Sequence, residues 1–247
     1  MSALTRGRLS RLAAKLCEVR GAEALVRWQH PEHGMISPVE FIPLAERTGV
    51  IQPLTYWICR KAFAFKKSLS DQGYDINLSI NISARNLQDP HFKDQICKIA
   101  QECDITLDKV IMELTETAVM HNPDDAMRVM GELSAVGIRL SIDDFGTGYS
   151  SMSYLKRLPI HTLKVDRSFV KDMLTDEADA VIVRSTIGLA HSFGLNVVAE
   201  GVEDEEALKW VQERNDLSVQ ELAEGAEFTA LKDRLNTIYN SEDRIPY

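Results

Sequence analysis

Six short apolar runs, each with a polar or charged group near its C-terminal end and each separated from the next by a connecting stretch, most narrowly limit how this chain can fold. They lie at residues 21–28 (GAEALVRW), 75–83 (DINLSINIS), 109–116 (KVIMELTE), from 138 onward (IRLSIDDFG), 161–166 (HTLKVD) and 195–200 (LNVVAE). Residues 123–136 and 179–193 read as helices stopped by Gly137 and Gly194. Ser37-Pro38-Val39-Glu40 reads as an N-cap, a first-turn proline and an N3 glutamate, so a helix is expected toward Arg47 with Gly49 past its end. A second helix is expected over about residues 53–70. Alternating strands and helices imply a parallel sheet. A length of 247 residues suits a single α/β barrel.

The polar residues in those runs carry the chemistry. Within 75–83, Ile76, Leu78, Ile80 and Ile82 take one face, and Asn77, Ser79, Asn81 and Ser83 the other. A parallel sheet is covered on both faces, so a polar row must line a barrel interior or a site. Near their C-terminal ends the six runs place Glu23, Asn81, Glu113, the pair Asp143 and Asp144, Lys164 and Glu200. Barrel strands all end at one mouth. Adjacent carboxylates repel unless a cation sits between them or one is protonated. A lone Asp-Asp pair can simply cap a strand, and Glu23 can simply pair with Arg27. Repetition of acids at equivalent strand ends points instead to divalent metal. His30 and His33 fall in an expected surface turn over residues 29–35.

Charge and cysteine usage exclude other classes. A net charge of −9 argues against DNA or RNA polymer as a partner, while an acidic protein can still hold a phosphate ligand through metal. No run of eighteen apolar residues occurs, so no transmembrane segment is expected. Cys17, Cys59, Cys97 and Cys103 have neither CxxC nor zinc spacing and read as packed, reduced thiols of a cytoplasmic protein. Residues 1–20 set Leu9, Leu12, Ala13 and Leu16 at helical spacing among Arg6, Arg8, Arg11 and Lys15. They read as a docking helix or a linker from an upstream domain, with a targeting peptide or membrane-surface helix as alternatives. The barrel domain is expected over residues 21–247.

The strings GAEALVRW, NLSINIS, ELTE, SIDDFGTGYSS, LKVDRSFV and VVAEGVED, in this order, resemble the EAL-type cyclic di-GMP phosphodiesterase domain of bacterial signalling proteins over roughly residues 21–204. The resemblance implies a TIM-like (β/α) barrel, hydrolysis of cyclic di-GMP to linear pGpG, two Mg²⁺ or Mn²⁺ ions, a homodimer and a cytoplasmic location. It implies that Glu23, Asn81, Glu113 and Asp143 hold one ion, and that Asp143 bridges to a second held by Asp144 and Glu200. Oxygen-rich ligation suits those hard cations. Lys164 resembles the lysine that orients the attacking water. Lys164 and Glu200 are both candidates to take its proton, and an ion-activated water needs neither. Arg27 is carried over as a substrate-phosphate ligand and Gln220, at family spacing from Glu200, as substrate-binding. Glu116 is similar to the acid that steadies the loop over residues 145–151, which in the family also couples the site to dimerisation. Asp166 and Glu203 are expected around Lys164 and the ions.

Both ends depart from the pattern. No family-type opening strand occurs in residues 9–20. From about residue 221 the closing segment is replaced by Glu221-Leu222 and an amphipathic pattern of Phe228, Leu231, Leu235 and Ile238. The first and last strands of the barrel are therefore expected to be atypical or missing. No expected metal ligand is lost, which favours an enzyme. The alternative is a catalytically weak or inactive cyclic di-GMP receptor or protein-interaction module, and a third reading is a phosphodiesterase for another cyclic dinucleotide.

Overall fold

The computed structural model describes residues 21–147, 152–202, 205–212 and 217–220. The expected alternation is present as β1 (Gly21–Ala24), a hairpin of β2 (Trp28–His30) and β3 (Gly34–Ile36), α1 (Pro38–Thr48), α2 (Ile51–Asp71), β4 (Asn77–Asn81) and α3 (Phe92–Glu102). It continues through β5 (Val110–Thr115), α4 (Glu116–His121), α5 (Pro123–Ala135), β6 (Arg139–Phe145), α6 (Met152–Leu155), β7 (Thr162–Val165) and α7 (Arg167–Asp172). It ends with α8 (Glu177–Ser192), β8 (Asn196–Glu200), α9 (Glu205–Gln212) and β9 (Leu217–Gln220). The main sheet has seven strands in the order β1-β4-β5-β6-β7-β8-β9, and every neighbouring pair is parallel. Because spatial order follows chain order, each crossover advances one place in the same direction, as in the wall of a barrel. Among the described residues no strand lies outside β1 or β9.

Four local expectations are corrected. β1 stops at Ala24, and the expected turn is an antiparallel hairpin of two three-residue strands. Strands that short show no usable alternation. Trp28 stands edge-on to Phe41, ring centroids 5.6 Å apart, while Nδ1 of His30 accepts from the backbone N–H groups of Glu32 and His33. α1 begins at Pro38 and ends on left-handed Gly49 as expected, but the Ser37 hydroxyl makes no capping bond. α2 starts at Ile51, which puts Pro53 in the first turn, where its missing N–H has no helical partner to lose. Finally, a seventh strand, β9, pairs with β8 where no closing strand was recognised; four residues are too few to declare a period. Residues 1–20 and 221–247, with their amphipathic patterns, lie outside the described residues.

Strand alternation separates core from site. The buried residues of α2 recur as Ile51, Thr55, Cys59, Ala62, Phe63, Lys66 and Leu69, one helical stripe. This stripe and α3 cover Leu78 and Ile80 of β4, in a core continued by Val110, Met112 and Leu114, Leu140 and Ile142, Leu163 and Val165, and Val197 and Ala199. The alternate positions, including Asn81, Glu113, Ser141, Asp143, Lys164 and Glu200, therefore share the opposite face of the sheet. Cys59, Cys97 and Cys103 are free thiols, and no helix among the described residues is long and apolar enough to cross a membrane. Leu140 is fully buried in a central strand, so Leu140→Ala is expected to cost about 3 kcal/mol in urea unfolding. Its exposed neighbour Arg139, replaced by alanine, should change stability by less than about 0.5 kcal/mol.

Candidate metal and catalytic site

Register brings the chemistry-bearing side chains to one end of the sheet. Asn81 is paired with Glu113, Thr115 with Asp143, and Glu200 with Gln220. Thr115, the last residue of β5, and Asp166, the first after β7, cap the following helices, accepting from the N–H groups of Ala118 (3.3 Å) and Ser168 (2.9 Å). The strand ends are thereby tied to rigid helix starts.

The Asp143-Asp144 pair owes its geometry to a β-bulge. Consecutive strand residues point to opposite faces, so a regular β6 would send one carboxylate into the helical layer. Instead Ile142 pairs with Leu163 and Phe145 with Val165, three steps of β6 against two of β7. Asp144 takes up the extra residue at φ +52°, a left-handed conformation that aspartate tolerates better than most side chains. Phe145 then returns to the core. As a result, carboxylate oxygens of Asp143, Asp144 and Glu200 lie within 4.8 Å of one another. The slip was readable in the sequence: apolar positions 138, 140 and 142 are followed by 145, which breaks the period of two.

Lys164 sits at the centre of the acids. Its Nζ is 2.8 Å from Glu113 Oε2, 3.2 Å from Asp143 Oδ2 and 2.6 Å from Glu200 Oε1, and its side chain is 3% exposed. Burial alone would discharge the ammonium, but the three carboxylates outweigh it and hold Lys164 well above the usual lysine range. The acids outnumber the lysine. Burial, assisted by Asp143 and Glu113, pushes Glu200 up to about 7 despite Lys164. Burial followed by Asp143 and Asp166 pushes Asp144 up to about 6, and burial raises Glu113.

The remaining expected residues are placed as follows. Asn81 Nδ2 donates to Glu23 Oε1 at 2.6 Å, which leaves the amide oxygen as a potential ligand. Buried Glu116 accepts from the N–H of Gly146 (3.1 Å), two residues after Asp144. On the other side a Cβ at Gly146 would meet Phe169 at 3.2 Å and Ile182 at 3.5 Å. Asp166 shares a hydrogen bond with Asp144, the carboxylate it faces. Arg27 is not on β1; it is exposed in the loop beyond the strand end and donates to the Val26 carbonyl (3.0 Å) rather than to Glu23. Gln220 ends β9 beside Glu200. Glu203 and residues 148–151 lie outside the described residues. Beyond the bulge, sequence reasoning missed Glu46, whose Oε1 accepts from Ser83 Oγ at 2.5 Å just past Asn81.

Fold and site together define a parallel α/β protein of barrel-wall architecture, with an all-oxygen acidic cluster suited to hard divalent cations. The family model described as EAL domain matches residues 14–220, and the chain belongs to this cyclic di-GMP phosphodiesterase family. It is 41% identical over 186 residues to the bifunctional diguanylate cyclase/cyclic di-GMP phosphodiesterase MucR of Pseudomonas aeruginosa, covering 75% of this chain and 27% of that protein. It is 39% identical over 186 residues to the cyclic di-GMP phosphodiesterase PdeR of Escherichia coli, covering 75% of this chain and 28% of that protein. The chain thus spans just over a quarter of the length of these relatives. A solved structure of the PaMucR phosphodiesterase in complex with c-di-GMP matches with a TM-score of 0.79 and 38% identity, covering 85% of this chain and 87% of that one.

Raised carboxyl pKa values make metal uptake compete with protons. Glu200 and Asp144 hold protons below about 7 and about 6, and a cation must displace them. Mn²⁺ affinity measured by calorimetry should therefore rise from pH 5 to about 7 and then level off, with protons released on binding at the acid end. The same sign governs stability without metal: the contribution of these two acids is present below their unfolded values and is lost as pH rises through about 6 to 7.

Proposed function

We propose that this chain hydrolyses cyclic di-GMP to linear pGpG with two Mg²⁺ or Mn²⁺ ions. The observation that carries this is the meeting of Glu113, Asp143 and Glu200 around one buried lysine, with Asp144 beside them, at the C-terminal ends of parallel strands. The substrate comes from relatives whose names state cyclic di-GMP phosphodiesterase activity.

In this reading Glu23, Asn81, Glu113 and Asp143 hold one ion, and Asp143, Asp144 and Glu200 the other. Bound there, the ions supply Lewis acidity and an activated water at phosphorus. Lys164 lies between Glu113, Asp143 and Glu200. It acts as a donor that orients the attacking water and offsets negative charge. Glu200 and Lys164, 2.6 Å apart, are the two candidates to accept that water's proton, and an ion-activated water needs neither. Linear pGpG keeps a 5′-phosphate, so the bond that breaks joins phosphorus to O3′, and the leaving oxygen ends as a hydroxyl. Arg27, exposed on the mouth side of β1, binds a substrate phosphate through its planar set of donors. Gln220 contacts substrate from the end of β9. Glu116 holds the Gly146 N–H that follows Asp144, Asp166 supports Asp144, and Glu203 is assigned to the same supporting set. A cytoplasmic homodimer belongs to the same reading; exposed Val181 neighbours Ile182, which packs against Gly146 of that loop.

Incubation with cyclic di-GMP and Mn²⁺, followed by chromatography, should yield pGpG. Glu23→Ala should lower the rate by at least about a hundredfold, beyond the usual loss for groups that merely support a ligand. Cyclic di-GMP binding without turnover would make the protein a receptor, and faster cleavage of another cyclic dinucleotide would reassign the substrate.

A further inference from the structure

α1 obeys the helix-dipole rule at both ends, with Glu40 in its first turn and Arg47 in its last, except at Glu46. A carboxylate near a helix C-terminus is disfavoured by the dipole, so its presence calls for a partner. That partner is in another βα unit: Ser83 Oγ donates to Glu46 Oε1 at 2.5 Å and accepts from the Arg85 N–H at 3.2 Å. The Ser83 N–H in turn donates to Asn86 Oδ1 at 2.9 Å. Asn86 is fully buried, and its oxygen also lies 3.2 Å from the buried Thr55 hydroxyl of α2, which shares its proton with the Ile51 carbonyl. Asn86 Nδ2 has no hydrogen-bond partner among the described residues, so the two contacts at Oδ1 are what hold the amide in place.

Ser83 stands two residues after Asn81. Between them only Ile82 continues the ladder, its N–H donating to the Glu113 carbonyl at 2.9 Å. The Asn81 side chain is exposed and reaches Glu23 through a single described bond. α1 and α2 belong to the excursion that follows β1, the strand that carries Glu23. The hydrogen bonds from Glu46 and Thr55 therefore fix the exit of β4 to the same unit that supplies Asn81's partner.

We infer that Glu46, acting through Ser83, is a positioning residue for Asn81: it accepts the Ser83 hydroxyl proton and so sets the end of β4 where the Asn81 amide can meet Glu23 and a shared cation. This rests on the proposed role of Asn81 as an ion ligand. The hydrogen bond needs an acceptor at position 46, not a charge, which separates it from a general electrostatic effect.

The test measures Mn²⁺ binding by calorimetry and kcat/KM for cyclic di-GMP on wild type, Glu46→Ala, Glu46→Gln, Ser83→Ala and the double variant Glu46→Ala/Ser83→Ala. Thermal melts confirm the folded fraction of each. Glu46→Ala and Ser83→Ala should each weaken Mn²⁺ binding about tenfold, the double variant no further, and Glu46→Gln should stay near wild type because its amide oxygen still accepts from Ser83. A Glu46→Ala protein that binds Mn²⁺ like wild type, a Glu46→Gln protein as impaired as Glu46→Ala, or additive losses in the double variant would each overturn the inference. Should Glu46→Ala fail to fold, Glu46→Gln against Ser83→Ala decides the matter. A wild-type chain that takes up no Mn²⁺ overturns the metal reading of Asn81 and this inference with it. A wild-type chain that binds Mn²⁺ without cleaving the nucleotide overturns the phosphodiesterase reading alone, since calorimetry still decides the role of Glu46.

Discussion

One buried ammonium against three carboxylates is the constraint from which the rest of the mouth follows. Glu113, Asp143 and Glu200 each place an oxygen within 3.2 Å of Lys164 Nζ. Taking these groups out of water is costly, and their mutual attraction offsets the cost only where the geometry is good. Removing one partner of a buried pair typically costs about 3–5 kcal/mol. Parallel strands supply that geometry because their C-terminal ends meet at one place. Yet a single positive charge does not balance the acids, and Glu200, Asp144 and Glu113 all remain reluctant to ionise. Residual negative charge fixed on a rigid sheet is what favours a doubly charged ion.

The bulge in β6 turns that general tendency into a specific arrangement. Without the extra residue, Asp143 and Asp144 would lie on opposite faces of the sheet. The left-handed turn at Asp144 keeps both at the mouth and lets Phe145 rejoin the core. Glu116 then anchors the N–H of Gly146, while Phe169 and Ile182 close in on the side where a side chain at that glycine would sit. Local distortion, packing and ligand placement are coupled within four consecutive residues.

Much of this was legible in the sequence because periodicity and strand-end chemistry are local signals. The DINLSINIS alternation already divided Leu78 and Ile80 from Asn77, Ser79 and Asn81, and the structure buries the former pair against α2 and α3. Three features escaped for physical reasons. The hairpin of β2 and β3 and the strand β9 are too short to declare a period. The tie between Glu46 and Ser83 spans 37 positions, and no local pattern reports a contact across α2 and the loop before β4. The location of Arg27 beyond the end of β1 depends on where strand pairing stops, and among the described residues β1 pairs only with β4. Membership of the EAL family was readable because the six motif strings keep their order, and the family model matches residues 14–220.

The central claim is that the gathered acids hold two cations as neighbours. Electron paramagnetic resonance of the protein titrated with Mn²⁺ tests it most directly. Two ions about 3.5–4 Å apart should bind per chain and give an exchange-coupled spectrum distinct from that of isolated Mn²⁺. A single uncoupled ion per chain, or none, would contradict the claim.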